Sequence, residues 1–90
     1  MKGNSMYHFR GCYIPERMMH CIEFYIEKGT PPGQFLTAVL RNELFNAVSY
    51  ADDENAVNLL AYVGYFYNEA PSMCWGSKEK VSDWIKSFKE

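Results

Sequence analysis

A chain of 90 residues is short enough for one domain and buries only about two thirds of the surface that its unfolded form exposes. Its net charge of −2 at pH 7 has the wrong sign for a protein that holds nucleic acid mainly through phosphate contacts. Seven Tyr, six Phe and two Trp are many for so small a core, which favours a homo-oligomer or a dedicated binding face.

Residues 1–12 are predicted to form a flexible or extended N-terminal arm, and residues 13–90 a single helical domain. The arm carries Tyr7 and Phe9, which suit packing either across the helices of the same chain or across a neighbouring subunit. These two aromatic residues are therefore candidate oligomer contacts.

A reducing cytoplasm is the expected compartment. We find no segment with the character of a signal peptide and no apolar run that approaches membrane-spanning length. Cys12, Cys21 and Cys74 cannot all pair with one another, which is typical of free thiols in a reducing compartment.

Pro15 and Glu16 begin the first predicted helix, because proline suits the first helical position and an acid there complements the helix dipole. Helical spacing places six apolar residues on one side: Met18, Met19, Cys21, Ile22, Tyr25 and Ile26. Phe24 falls among charged residues on the other side, which makes it a third candidate oligomer contact. Gly29 ends the helix.

The second predicted helix follows the Thr30-Pro31 start signal and is apolar on two sides, which is typical of a helix at the centre of a fold. A break is expected near Asn42 or Asn46. Glu43 projects close to the main apolar side, where a carboxylate needs a partner or must be neutral. It marks either a helix break or the edge of a subunit interface.

The third predicted helix begins at Asp52, which precedes two further acids in the manner of a helix cap. Its more apolar side is predicted to face inward: Ala56, Leu59, Leu60, Val63, Phe66 and Tyr67. The other side is a polar-aromatic stripe: Asn55, Asn58, Tyr62, Tyr65 and Glu69. Pro71 ends this helix, and Trp75 follows in an irregular segment.

The polar-aromatic stripe and Trp75 together form the predicted binding surface. Tyrosine and asparagine combine a large rigid contact area with hydrogen bonding, a mixture that is common in recognition surfaces. Three interpretations of the stripe stay open: contact with the chain's own N-terminal arm, self-association, or contact with a foreign partner or ligand.

Ser77 caps the last predicted helix, in which Val81, Trp84, Ile85 and Phe88 recur at amphipathic spacing. The helices are joined by short connections. The sequence therefore predicts an all-α fold, a small bundle of about four helices with an extended N-terminal arm.

Three strings of the sequence, YIPERMM at 13–19, PPGQFLTAVL at 31–40 and YNEAPSMCWGS at 67–77, resemble a group of small uncharacterised proteins from tailed phages and prophages. The resemblance spans roughly residues 13–85. It implies a phage-type accessory gene product that acts inside a bacterial cell. It brings no assigned activity, so it transfers no functional residues.

The residue pattern gives little support for a catalytic site or a metal site. The metal-ligating side chains (His8, Cys12, His20, Cys21 and Cys74) show neither CxxC nor HxxxH spacing, so we expect no metal and no cofactor. Cys74 is the candidate nucleophile because the last helix begins nearby, but no sequence argument brings a histidine base close to it.

We therefore expect a non-catalytic phage-type accessory protein that binds and modulates a host protein or defence component. It is expected to be a homo-oligomer, without a nucleic-acid or membrane partner. One alternative is a small-molecule binder that sequesters a nucleotide-like signal in a pocket lined by Tyr62, Tyr65 or Trp75. The other is a small enzyme centred on Cys74.

Overall fold

The computed structural model describes residues 7–89; residue 90 and residues 1–6 of the predicted arm lie outside the described part. The described residues form a β-hairpin followed by six α-helices and one short 3-10 helix. The elements are β1 (Tyr7–Phe9), β2 (Cys12–Ile14), α1 (Glu16–Lys28), α2 (Gln34–Leu40), α3 (Leu44–Tyr50), α4 (Asp53–Val57), α5 (Leu59–Glu69), the 3-10 helix (Ser72–Cys74) and α6 (Lys78–Ser87).

The predicted helical character is confirmed, but the fold is mostly helical rather than purely α. The described part of the chain has six α-helices instead of about four, because the second and third predicted helices are each divided in two. Where an extended arm and the start of the helical domain are predicted, residues 7–14 form a hairpin. None of the described helices has the length and apolar character needed to cross a membrane.

The hairpin is made by a two-residue turn between short antiparallel strands. Tyr7 pairs with Ile14 and Phe9 with Cys12. The turn residues Arg10 and Gly11 both have positive φ, 52° and 83°, as a type I′ turn requires. This turn matches the natural twist of the strands, so a very short segment can fold back on itself.

The hairpin packs on α5 of the same chain. The Tyr7 ring meets Tyr65 edge-on, with 5.2 Å between ring centroids. Gly64 lets the Phe9 ring approach the helix backbone, since a Cβ at this position would lie 2.6 Å from two ring atoms. The two aromatic residues of the arm are therefore half-buried within their own subunit.

The break between α2 and α3 falls at Asn42, one of the two predicted positions. Asn42 has φ 66°, the left-handed conformation that commonly ends a helix. Its N–H donates to Val39 O at 3.0 Å, and the N–H of Glu43 donates to Ala38 O at 2.9 Å. This pair of bonds is a Schellman motif, which satisfies the last carbonyls of α2 and lets α3 leave in a new direction.

The start of α4 is confirmed at Asp52, whose carboxylate accepts the Asn55 N–H at 2.8 Å. The helix ends after five residues at Asn58, where α5 begins. The start of α6 is also confirmed, because Ser77 Oγ accepts the Lys80 N–H at 3.1 Å.

The core joins α1, α2, α5 and the segment around Cys74. The buried side of α1 is the predicted one, with Met18, Ile22 and Tyr25 inside. The Tyr25 hydroxyl donates to Cys74 O at 2.7 Å, and its own carbonyl accepts the Trp84 indole N–H at 3.1 Å. One buried tyrosine thus ties the 3-10 helix and α6 to α1.

Gly64→Ala tests the docking of the hairpin on α5. The new methyl group would overlap the half-buried Phe9 ring, so we expect the free energy of unfolding to fall by about 1–3 kcal/mol despite alanine's higher helix propensity. Urea denaturation measures the change. Asn68→Ala, at an exposed position of the same helix, is the control and should change stability by less than about 0.5 kcal/mol. A Gly64→Ala variant as stable as the wild type would contradict the packing of Phe9 on this helix.

A surface network at the start of α4 makes stability depend on pH. The Tyr13 hydroxyl donates to Glu54 at 2.6 Å and Arg17 donates to the same carboxylate at 2.9 Å, and these hydrogen bonds lower the pKa of Glu54. Arg17 also reaches Asp52 at 3.3 Å. Because the folded-state pKa of Glu54 lies below its unfolded value, its contribution is present at neutral pH and is lost as pH falls through the lowered folded-state pKa.

Glu54→Gln should therefore destabilise the protein at neutral pH and have less effect at about pH 3. Urea denaturation at both pH values measures the difference between wild type and variant. Glu79→Gln is the matched control, because Glu79 has no ion-pair partner among the described residues. Equal destabilisation by Glu54→Gln at both pH values would contradict the assigned hydrogen bonds.

Candidate functional site

The structure places three residues of the predicted binding surface in the interior. Tyr62 is fully buried, and Asn55 and Asn58 are each only 4% exposed. The prediction that these side chains form an exposed surface is therefore wrong for all three. The face of α5 that carries Tyr62 turns toward α2 and the hairpin, and the Phe35 ring meets Tyr62 edge-on at 5.0 Å.

Hydrogen bonds within the protein explain how these polar side chains come to be buried. The Tyr62 hydroxyl donates to Asn55 Oδ1. Asn58 Oδ1 accepts the backbone N–H of Tyr13 at 2.9 Å, and its Nδ2 donates to Glu54 O at 2.9 Å. Burial also raises the pKa of Tyr62, which keeps its hydroxyl protonated as a donor. Hydrogen bonds within the fold thus offset the free energy cost of burying these polar side chains.

The other members of the predicted surface lie apart from one another. Tyr65 is half-buried against Tyr7 and Phe66, and Glu69 is exposed. Trp75 is half-buried and lies 6.2 Å from the Tyr67 ring, on a different side of α5 from Tyr62. Of the three interpretations of the stripe, contact with the chain's own N-terminal segment is the one observed.

Of the three candidate oligomer contacts, two are engaged within the chain. Tyr7 and Phe9 pack on α5, as described above. Phe24 is 52% exposed on the outer side of α1 and makes no aromatic contact among the described residues.

The side of α5 that is predicted to face inward is only partly buried: Phe66 is in the core and Leu59 is half-buried, as predicted, but the rest of that side faces out. Val63 is 52% exposed, Tyr67 is 74% exposed and Leu60 is also exposed. Beside them α3 exposes Leu44 and Val48, together with Phe45 at 87%. Sequence reasoning missed this surface because it assumed that the more apolar side of a helix is the buried one.

Two shallow depressions on this surface form one continuous feature, here called the apolar groove. They enclose about 60 Å³ and about 100 Å³, and both are bounded by Val39, Asn42 and Val63. The apolar walls of the groove are Val39, Leu44, Ala47, Leu59, Val63, Phe66, Tyr67 and Trp75. Phe45 and Val48 of α3 and Leu60 of α5 are further exposed apolar residues.

The apolar groove owes its shape to the two helix breaks. The turn at Asn42 separates Val39 on α2 from Leu44 on α3, and Val63 on α5 lies between them and Trp75. Asn42 contributes a polar side chain to both depressions. The indole N–H of Trp75 is buried and has no acceptor among the described residues.

Cys74, the candidate nucleophile, is fully buried. Burial raises the pKa of its thiol to about 11, so the thiolate form is scarce near neutral pH. Neither His8 nor His20 forms a hydrogen bond with it. This position favours a packing role. No group of three or more His, Cys, Asp or Glu within residues 7–89 is arranged to hold a metal ion.

Comparison of the chain with protein-family models, with curated proteins and with solved structures found no significant match. The function proposed below therefore depends on the geometry of the described residues and on the sequence resemblance.

Tyr62→Phe tests whether the buried polar cluster holds α5 in its observed orientation. Loss of the hydroxyl leaves Asn55 Oδ1 without its donor, so we expect the free energy of unfolding to fall by about 1–3 kcal/mol. Thermal and urea denaturation measure the effect. Tyr67→Phe removes a hydroxyl from an exposed residue of the same helix and should change stability by less than about 0.5 kcal/mol. Equal effects of the two substitutions would contradict the orientation of α5.

Proposed function

We propose that this chain is a non-catalytic binding protein whose apolar groove takes an apolar-faced segment of a host protein or defence component and thereby modulates that partner. The observation that carries the proposal is the exposure of large apolar side chains side by side on α3 and α5. Leu44, Val63 and Tyr67 line the groove, and each is more than half exposed. Exposed apolar side chains that are gathered in one place mark interaction sites.

The dimensions of the groove favour a protein partner over a small molecule. Each depression has room for one or two apolar side chains, whereas pockets for drug-sized ligands measure about 300–1,000 Å³. Shallow depressions in a row suit a helix that inserts side chains one or two turns apart. We infer that the partner presents an amphipathic helix.

The charge around the groove indicates which charge the partner helix should carry. Glu43 is the one ionisable carboxylate among the residues that line the two depressions. No Lys or Arg lines either depression. Because like charges slow encounter and opposite charges speed it, the partner helix should be neutral or basic beside its apolar face.

The resemblance to tailed-phage and prophage proteins supports a bacterial protein as the partner and the cytoplasm of the host cell as the place of action. A second copy of this chain is the competing occupant. Self-association through the groove would bring two copies of Glu43 into one interface, which favours a foreign basic partner instead.

The alternative functions have less support from the geometry. A nucleotide-like ligand would need an enclosed pocket lined by Tyr62, Tyr65 or Trp75, but Tyr62 is buried and the depression beside Trp75 holds only about 100 Å³. A Cys74-dependent enzyme would need an accessible thiolate, which burial disfavours.

Photo-crosslinking identifies the occupant of the groove. A photoreactive amino acid replaces Val63 in one variant and Phe24, on the outer side of α1, in the control variant, and both are expressed in a bacterial host. The captured protein is then purified and its affinity is measured by calorimetry. We expect capture from position 63 only, and Val63→Asp should weaken binding about tenfold or more, as substitution of a central contact does.

Phe24→Asp should leave that affinity unchanged, and circular dichroism should show that Val63→Asp still folds, since Val63 is half exposed. Equal binding of the captured protein to wild type and Val63→Asp would overturn the proposal. Capture of a second copy of this chain from position 63 would show that the groove serves self-assembly and not a foreign partner.

A further inference from the structure

A second concavity lies between α2 and α3, and among its lining residues it shares only Glu43 with the apolar groove. It encloses about 440 Å³, a volume within the range of small-molecule sites. Its polar walls are Gln34, Thr37, Arg41, Glu43, Asn46 and Tyr50. The first three recur at three- and four-residue spacing, so α2 presents one polar face to this cleft.

Arg41 is the residue that points to a ligand. Its Nε is buried and has no acceptor, and no hydrogen bond or ion pair within residues 7–89 engages its terminal nitrogens. The sequence contains no other Lys or Arg between Lys28 and Lys78. A half-buried guanidinium whose terminal nitrogens have no partner within residues 7–89 fits a planar anionic group such as a carboxylate.

Glu43 limits what that anion can be. Its carboxylate lines the same cleft, accepts Asn46 Nδ2 at 3.3 Å and forms no ion pair with Arg41. The fold thus holds one positive and one negative side chain apart across a shared space. A free phosphate would be attracted by Arg41 but repelled by Glu43, whereas a ligand that carries both charges would complement both residues.

We propose that this cleft binds a small zwitterion, either a free α-amino acid or a dipeptide. The ligand carboxylate pairs with Arg41 and its ammonium group with Glu43. Thr37, Gln34 and Tyr50 supply further hydrogen bonds, since their side chains form none with the described residues. The site does not depend on the apolar groove or on its protein partner.

A nuclear magnetic resonance titration of the ¹⁵N-labelled full chain tests this inference. The probes are the twenty L-amino acids and a set of dipeptides, each added up to about 10 mM, a range that detects millimolar binding. Acetate, inorganic phosphate and methylamine are the single-charge controls. We expect at least one zwitterion to give saturable shifts at the amides of residues 34, 41, 46 and 50. Saturation by free amino acids or by dipeptides then shows which of the two classes is the ligand.

Arg41→Gln and Glu43→Gln should each weaken that binding by about tenfold or more. Arg41→Lys should weaken it by less, because lysine keeps the positive charge but lacks the planar pair of N–H donors that binds both carboxylate oxygens. The dispersion of each variant's spectrum reports whether it folds; if Arg41→Gln does not, Glu43→Gln and Tyr50→Phe decide. Three results would overturn the proposal: no saturable shifts with any zwitterion, binding unchanged in the folded variants, or acetate or phosphate binding as tightly as the best zwitterion.

Discussion

The structure depends on the need to satisfy two buried amide side chains, Asn55 and Asn58. Asn55 needs the Tyr62 hydroxyl, which it meets only when Tyr62 points inward from α5. Asn58 needs the backbone N–H of Tyr13, which is available only when the hairpin docks on the same chain. Because unsatisfied buried amides would each cost about 1–3 kcal/mol, these bonds fix both the rotation of α5 and the position of the hairpin. Leu60, Val63 and Tyr67 of α5 are left facing water as a consequence.

The turn at Asn42 has a comparable effect on the other half of the molecule. An uninterrupted helix from Gln34 to Tyr50 would be about 25 Å long and would bury one side only. With the Schellman motif at Asn42, α3 instead leaves in a new direction, and a concavity opens on either side of the corner. Glu43 follows the turn and lines both. Asn42 thus produces both the apolar groove and the cleft between α2 and α3. It does so through a local backbone conformation rather than through side-chain packing.

Local signals in the sequence were sufficient for the local features of the fold. Asp52 and Ser77 cap their helices by side-chain bonds within three residues, and Asn42 ends α2 by its own conformation. The orientation of α5 could not be predicted in this way, because it depends on which groups satisfy Asn55 and Asn58, and one of these groups, the N–H of Tyr13, is more than forty residues away. Tyrosine and asparagine suit a surface or a hydrogen-bonded interior equally well. Whether they are buried is therefore decided by the groups that are available to form hydrogen bonds with them. Two signals did exist: Gly11 between aromatic runs indicates a hairpin turn, and Gly64 among large side chains indicates the close approach of another segment.

The same arrangement separates stability from binding. In many small domains the residues that could bind a partner also fill the core, so a substitution that removes one function removes the other. Here the core uses Tyr62 of α5, while Val63 and Tyr67 of the same helix remain exposed at the groove. Phe66 belongs to both, because it is buried in the core and also lines the groove. A domain built in this way can change its surface for a new partner without losing its fold, provided that the buried hydrogen bonds of Asn55 and Asn58 are kept.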